Sequence, residues 1–373
     1  MKNRDSNFEL MRIFAMIFII SSHLCNSIFI DLSLAIKFNT IISKSLSVWA
    51  GNLGNYLFIF ISGYFISDSR FSWKKVFQIW FQVFSISIII GLIFYFFHIQ
   101  IISGNVNFLG FSTESIKLST KQFSGGDFIR SLFPTLFGNN WFASTYLLFY
   151  MFTPFLNELN RVIDAKKHRY LIIVMALVGT VIYMVPGQGI FESNNLFYFI
   201  LGYFIATYIK KYDPKILKNQ KINFAMSLIL IFLFVVWITA ILILRNKFSV
   251  INSRFVEFFS YPFALNRFPI LFCSIFVFAF FKNLKIKYNK IVNLVASTTF
   301  GVYLIHENPF FRGVLWHKLF RIDCFIDSKF LFLYMMFAVI ITFLCCSIID
   351  LLRKNLLERN VLKLFDKMQK IKK

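Results

Sequence analysis

Arg12 and His23, both in the first apolar stretch, are the residues whose types and spacing best suit chemistry. In a helix, the eleven steps between them bring both side chains to within ~20° of one face, ~16 Å apart along the axis. Glu9, one turn before Arg12, can pair with it. A charged side chain in the bilayer centre costs at least ~2.5–3.5 kcal/mol, so an ionisable residue there is usually functional. We predict a charged pair at the water boundary and a functional His23 near the bilayer middle; the alternative is a structural histidine bonded to a neighbouring helix.

A basic turn follows the second apolar stretch and contains Arg70, Trp73, Lys74 and Lys75. The turn lies at the same depth as Arg12, so these side chains together could hold a polyanion. The same pattern is also an ordinary topology signal, because cytoplasmic loops are enriched in Lys and Arg.

Asn140 and Trp141 begin the fourth apolar stretch. At the outer membrane face, Asn140 could hydrogen-bond a sugar or could cap the helix, and a tryptophan at the interface is an ordinary belt residue.

His306 and Glu307 end the ninth stretch, with Tyr303 one turn before them. If this helix starts near Lys290, His306 lies ~24 Å further out. We therefore predict that His306 and Glu307 lie at the mouth of an outer cavity, whereas His23 lies deeper.

The composition is that of a membrane protein. Of the 373 residues, 58% are hydrophobic, and the mean hydropathy is +0.67. The net charge of +23 comes from short basic clusters between apolar runs, a pattern that indicates topology signals and excludes a nucleic-acid partner. The five cysteines form no CxxC pair, which predicts neither disulfides nor a metal site.

Ten apolar segments predict an all-α integral membrane protein with about ten transmembrane helices. They are 13–30, 48–67, 76–102, 139–157, 170–185, 194–209, 223–244, 260–281, 291–307 and 330–352. With a cytoplasmic N-terminus, 27 of the 40 Lys and Arg residues fall in inner segments and 13 in outer ones. The bias predicts that both termini are cytoplasmic. A transmembrane domain, 1–352, would be followed by a basic cytoplasmic tail, 353–373, expected to form an amphipathic helix on anionic lipid.

Two regions differ from uninterrupted transmembrane helices and short loops. Pro262 and Pro269 interrupt 255–281, which could form a broken or re-entrant segment. The connection 103–138 is polar and contains Gly104, Gly110, Gly125 and Gly126, so it is expected to be a functional or a disordered outer loop.

Several of these stretches together resemble the membrane acyltransferase-3 family. They are Arg12-x10-His23, Trp141-Phe142-x3-Tyr146-x3-Tyr150-x3-Pro154, Phe300-Gly301-Val302-Tyr303-Leu304-Ile305-His306, Phe60-Ile61-Ser62-Gly63-Tyr64-Phe65 and Phe199-Ile200-Leu201-Gly202-Tyr203. The resemblance covers about residues 4–350. It implies a multi-pass O-acyltransferase of the cell membrane that modifies envelope carbohydrate, usually with acetyl from cytoplasmic acetyl-CoA.

The resemblance also implies roles for residues. The family's catalytic Arg-x10-His signature maps onto Arg12 and His23, and its donor-binding basic turn onto Arg70–Lys75, here with lysines where arginines are common. His306 and Glu307 are added as catalytic candidates, and Asn140, Trp141 and Tyr303 as substrate-binding candidates. We expect Arg12 and the turn to hold the CoA phosphates. His23 would act as general base or carry the acetyl group, without a metal.

The alternative from another class is a multi-spanning transporter or a flippase of a lipid-linked glycan. Buried ionisable residues also mark transport pathways. Transporters of this size often show repeated halves, and residues 1–185 and 186–373 show no such similarity.

The charge bias makes a topology prediction. Reporter fusions at Lys218 and Lys373 should report the cytoplasm, and a fusion near Gly125 should report the outside. A cytoplasmic signal at Gly125 would contradict the ten-span arrangement.

Overall fold

The computed structural model describes residues 5–28, 37–104, 118–137, 140–182, 194–247 and 267–371, which are almost entirely helical. The helices are α1 (Ser6–Ser27), α2 (Phe38–Ile66), α3 (Trp73–Phe96), α4 (Gly125–Leu132), α5 (Trp141–Val162), α6 (Ala165–Ala176), α7 (Asn195–Tyr212), α8 (Gln220–Lys247), α9 (Phe268–Lys282), α10 (Lys290–Ala296), α11 (Thr299–His306), α12 (Leu331–Arg353) and α13 (Arg359–Ile371). Short helical turns lie at Leu177–Val181, Lys215–Leu217, Phe311–Gly313, Val314–Leu319, Ile322–Phe325 and Lys354–Glu358.

Every predicted span contains a helix, which confirms the mainly helical fold. Among the described residues, four helical stretches are long and apolar enough to cross a membrane: Ser6–Ser27, Trp73–Phe96, Gln220–Leu244 and Leu331–Met368. Ten crossings and cytoplasmic termini stay predictions. Of the proline-interrupted segment, residues 255–266 lie outside the described residues. Pro269 occupies the first turn of α9, where its missing N–H removes no helical hydrogen bond.

The beginning of α1 is held by polar contacts, seven residues before the predicted start of the first span. The Ser6 hydroxyl donates to Asn293 Oδ1 at 3.0 Å and accepts from the Asn289 backbone N–H at 2.8 Å. The Asn7 side chain donates to two carbonyl oxygens at the end of α9. His23 lies one turn before the end of this 22-residue helix. Its position near the bilayer middle stays a prediction.

A two-stranded hairpin departs from the predicted all-α class. Strands β1 (Ile101–Gly104) and β2 (Leu118–Lys121) pair antiparallel. β1 begins in the last two residues of the predicted third span, 76–102, and β2 lies in the connection 103–138, which was expected to be a functional or a disordered loop. The hairpin packs against the turn at Gly313, where a Cβ would lie 2.8 Å from the carbonyl carbon of Ile102. The close approach of Ile102 to Gly313 thus places the hairpin against the segment that comes after α11.

A buried ionic network fixes the position of α11 beside α12. Arg353 donates to Asp350 Oδ1 at 2.9 Å and to Glu358 Oε2 at 2.5 Å, and all three side chains are buried. Mutual pairing offsets the cost of removing these charges from water. Asp350 lies directly against Gly301 of α11, where an added Cβ would overlap the carboxyl carbon. Only glycine allows α11 to approach this closely.

The tail predicted over 353–373 packs partly on α3. Lys74 Nζ lies 2.6 Å from Asp366 Oδ2, and the rings of Phe77 and Phe365 stack with centroids 4.6 Å apart. The tail is helical through residue 371. Its association with anionic lipid stays a prediction.

Gly301→Ala should destabilise the protein. The new methyl group would meet a carboxylate that Arg353 holds in place, and such overpacking costs about 1–3 kcal/mol. Thermal unfolding in detergent should show a lower midpoint. The matched control is Gly125→Ala, because a Cβ at Gly125 meets nothing within 4 Å. A Gly301→Ala midpoint equal to that of wild type and control would contradict this packing argument.

Candidate active site

Three side chains from opposite ends of the sequence form one cluster. Nδ1 of His23 lies 3.0 Å from Nε2 of His306 and 3.1 Å from Oε2 of Glu307. His306 is fully buried, whereas the side chains of His23 and Glu307 keep 23% and 18% of their surface exposed. The sequence prediction that His23 lies at a different depth from the other two is wrong. The contacts with His306 and Glu307 show that His23 lies at the level of the end of α11.

The hydrogen-bond pattern assigns the protons of both imidazoles. His306 Nδ1 lies 2.6 Å from the carbonyl oxygen of Val302, which can only accept, so this nitrogen carries the proton. In a neutral His306, Nε2 is then an acceptor. The proton between the two rings therefore lies on Nδ1 of His23, and Oε2 of Glu307 lies 3.1 Å from the same nitrogen. In this tautomer His23 Nε2 has a free lone pair, as a general base requires.

Arg312 completes the cluster by fixing the carboxylate. Its Nη1 lies 2.9 Å from Oε1 of Glu307, while Oε2 of the same carboxylate faces His23. Arg312 is itself half-exposed. A carboxylate held in this way orients the imidazole and stabilises the imidazolium that forms when the base takes a proton.

The same three residues have the composition of a metal site. The candidate ligand atoms of His23, His306 and Glu307 all lie within 4.8 Å of one another, and imidazole with carboxylate suits a divalent transition metal. Each of these atoms has a hydrogen-bond or ion-pair partner within the cluster without a metal. A metal-free cluster stays our prediction.

A cavity of about 260 Å³ lies between Arg12 and the first turns of α3 and α5. Arg12 and Lys75 contribute its charged groups, and Arg12 also pairs with Glu9 at 3.8 Å as predicted. Polar side chains of α3 and aromatic side chains of α5 and α11 also line it: Gln78, Gln82, Phe142, Tyr146, Tyr150 and Phe300. The cavity thus combines cationic, polar and aromatic surfaces.

Tyr303 lies between this cavity and the histidine cluster. Its ring centroid is 5.8 Å from that of Phe142 and 6.5 Å from that of Phe300, which both line the cavity. On the other side, it is 6.3 Å from the ring of His306. A continuous row of aromatic contacts therefore leads from the cavity to the cluster.

The predicted basic turn is divided by the structure. Lys75 lines the cavity with Arg12 and lies 6.0 Å over the ring of Tyr150. Lys74 instead pairs with Asp366. Arg70 and Trp73 are exposed and do not contribute to the cavity wall. Of the four turn residues, the structure thus brings Lys75 together with Arg12.

Asn140 and Trp141 begin α5. Asn140 is buried and occupies the N-cap position, but its side chain makes no capping hydrogen bond, and no described residue bonds its Oδ1. The cap proposed as the structural alternative is therefore not formed. Trp141 is 36% exposed and packs edge-on against Phe142.

The comparison with family models decides the class. A model described as an acyltransferase domain matches residues 5–351, nearly the whole chain. The chain belongs to the acyltransferase-3 family. With its long apolar helices, it is a membrane acyltransferase. No curated protein and no solved structure matched the chain.

The sequence analysis did not predict that Arg312 belongs to this candidate site. Arg312 comes five residues after Glu307, beyond Pro309 and the end of α11. Helical spacing does not predict a contact across such a turn. Its position five residues after a candidate carboxylate was the only signal available.

Proposed function

We propose that this membrane acyltransferase moves an acetyl group from cytoplasmic acetyl-CoA to a hydroxyl of an envelope or exported polysaccharide. The observation that carries the proposal is the His23–Glu307–His306 cluster, whose hydrogen bonds leave His23 Nε2 as a free base. The same helix presents Arg12 at a second, cationic site ~16 Å away. One helix face thus joins a site for a polyanionic donor to a site for proton transfer.

The cavity near Arg12 has the properties expected of a donor site. Arg12 and Lys75 supply positive charge for the CoA phosphates. Gln78 and Gln82 use their amide nitrogens on Glu358 and Asp350, and their amide carbonyl oxygens can accept from the pantetheine arm. The aromatic end of the cavity directs that arm towards Tyr303. The charge bias of the sequence favours a cytoplasmic position for this end, on the side where acetyl-CoA is made.

The cluster supports direct transfer to the acceptor. His23 Nε2 removes the proton of the acceptor hydroxyl while the hydroxyl oxygen attacks the thioester carbon. The C–S bond then breaks, and the imidazolium returns the proton to the leaving CoA thiolate. Glu307 stabilises the imidazolium between these steps. The same lone pair could instead take the acetyl group first, as acetyl-imidazole.

The beginning of α5 supplies the features expected at the acceptor side. Asn140 Oδ1 is buried and free to accept a hydrogen bond from a sugar hydroxyl. Trp141 exposes an aromatic surface beside it. Both residues precede Phe142, whose ring contacts Tyr303 next to the cluster.

His23→Ala should abolish most of the activity without unfolding the protein. Turnover should fall by ~10²-fold or more while acetyl-CoA still binds, because only proton transfer is lost. Arg12→Ala should raise the apparent KM for acetyl-CoA first, since it lies at the donor site. Label transfer from acetyl-CoA to an envelope polysaccharide fraction, with protein level and donor binding measured in parallel, checks both. Near-normal transfer by His23→Ala would refute the mechanism.

Lys75 and Lys74 form a matched pair for testing the donor site. Lys75→Gln removes a charge from the cavity and should raise the apparent KM for acetyl-CoA several-fold. Lys74→Gln removes the same charge from the neighbouring residue, which pairs with Asp366, and should leave that KM unchanged. Equal KM values for both variants would show that the cavity does not bind the CoA phosphates.

A further inference from the structure

Acyl transfer needs a hydrogen-bond donor that the two histidines of the cluster do not offer. When a hydroxyl attacks a thioester, the carbonyl oxygen becomes an oxyanion, and stabilising it is often the largest catalytic contribution. The N–H groups of both imidazoles are occupied, because His23 Nδ1 faces His306 and Glu307, and His306 Nδ1 donates to the carbonyl oxygen of Val302. Arg312 uses its Nη1 to bind Glu307. A donor for the oxyanion can come from a side chain beside the two histidines.

Tyr303 lies where the donor cavity meets the cluster. It is one turn before His306 on α11 and is only 4% exposed. Its ring contacts His306 on one side and the cavity-lining Phe142 and Phe300 on the other. A thioester that enters through the cavity and reaches His23 must pass this side chain.

The hydroxyl proton of Tyr303 has no acceptor among the described residues. The Phe142 backbone amide can only donate towards the hydroxyl oxygen, which leaves the O–H group itself without a partner. A buried hydroxyl without a partner costs about 1–3 kcal/mol. A phenylalanine would fill the same space without this cost. The hydroxyl is thus available to a bound ligand.

The geometry points to Tyr303 as a catalytic residue whose hydroxyl donates a hydrogen bond to the thioester carbonyl oxygen of the acyl donor. This assignment rests on the proposed function. As the acceptor oxygen attacks, the C=O electron pair moves onto this oxygen, and the bond from Tyr303 strengthens. When the tetrahedral intermediate collapses, the pair returns and the C–S bond breaks. Tyr303 keeps its proton throughout, and His23 transfers the acceptor proton to the CoA thiolate.

Tyr303→Phe tests the assignment, because the variant removes the hydroxyl and keeps the ring. Loss of one oxyanion donor lowers turnover by about 10²–10³-fold. We expect such a fall in kcat, with the KM for acetyl-CoA and the shape of the pH profile unchanged. The midpoint of thermal unfolding should be at least that of wild type. Activity is measured as transfer of label from acetyl-CoA to an envelope polysaccharide fraction.

Tyr203→Phe is the matched control. Tyr203 is also buried, but its hydroxyl donates to Asn157 Oδ1 at 2.6 Å, and Asn157 in turn donates to the carbonyl oxygen of Ile66 at the end of α2. This variant should lose stability and keep its kcat. A Tyr303→Phe enzyme with wild-type kcat would overturn the role of Tyr303 and leave the proposed function intact. If wild-type protein transfers no label at all, both the proposed function and this assignment fail.

Discussion

The contact between the end of α1 and the end of α11 is the interaction on which the site depends. His23 Nδ1 donates its proton to Nε2 of His306 at 3.0 Å, and the carboxylate of Glu307 lies 3.1 Å from the same nitrogen. This arrangement fixes the tautomer of His23 and leaves its other nitrogen free. The contact requires both helices to be placed accurately. Ser6 and Asn7 anchor the start of α1, and the close approach of Gly301 to Asp350 sets the position of α11.

The second constraint is the distance along α1 between Arg12 and His23. Their ~16 Å separation excludes a direct dyad, so in the proposed function they serve different parts of one donor. Arg12 shares a cavity with Lys75, and aromatic side chains fill the space from that cavity to the cluster. A long donor with a charged head and a reactive end would fit this arrangement, whereas a transporter would need a pathway for the whole substrate.

Helical periodicity in the sequence was enough to predict several features of the site. It placed Arg12, Glu9 and His23 on one face, located helices in all ten apolar segments, and selected His306 and Glu307 as candidates. It did not predict that these two residues contact His23, because apolar segments mark the membrane-spanning part of a helix and miss its polar ends. For this reason the start of α1 at Ser6 was not predicted.

Contacts between distant parts of the chain were also beyond sequence periodicity. Lys74 binds Asp366, 292 positions away, while the adjacent Lys75 faces the cavity. Nothing in a run of basic residues distinguishes the two. The β1–β2 hairpin forms from the sequences IISG and LSTK, which show no clear alternation, and its partner, the turn after α11, is distant in sequence.

A double-mutant cycle on His23 and Glu307 tests the central claim most directly. The turnover of acyl transfer from acetyl-CoA is compared for wild type, His23→Ala, Glu307→Gln and the double variant. If Glu307 acts through His23, its substitution has no further effect once His23 is absent, so the double variant should have the kcat of His23→Ala. Two independent losses that multiply in the double variant would contradict the account.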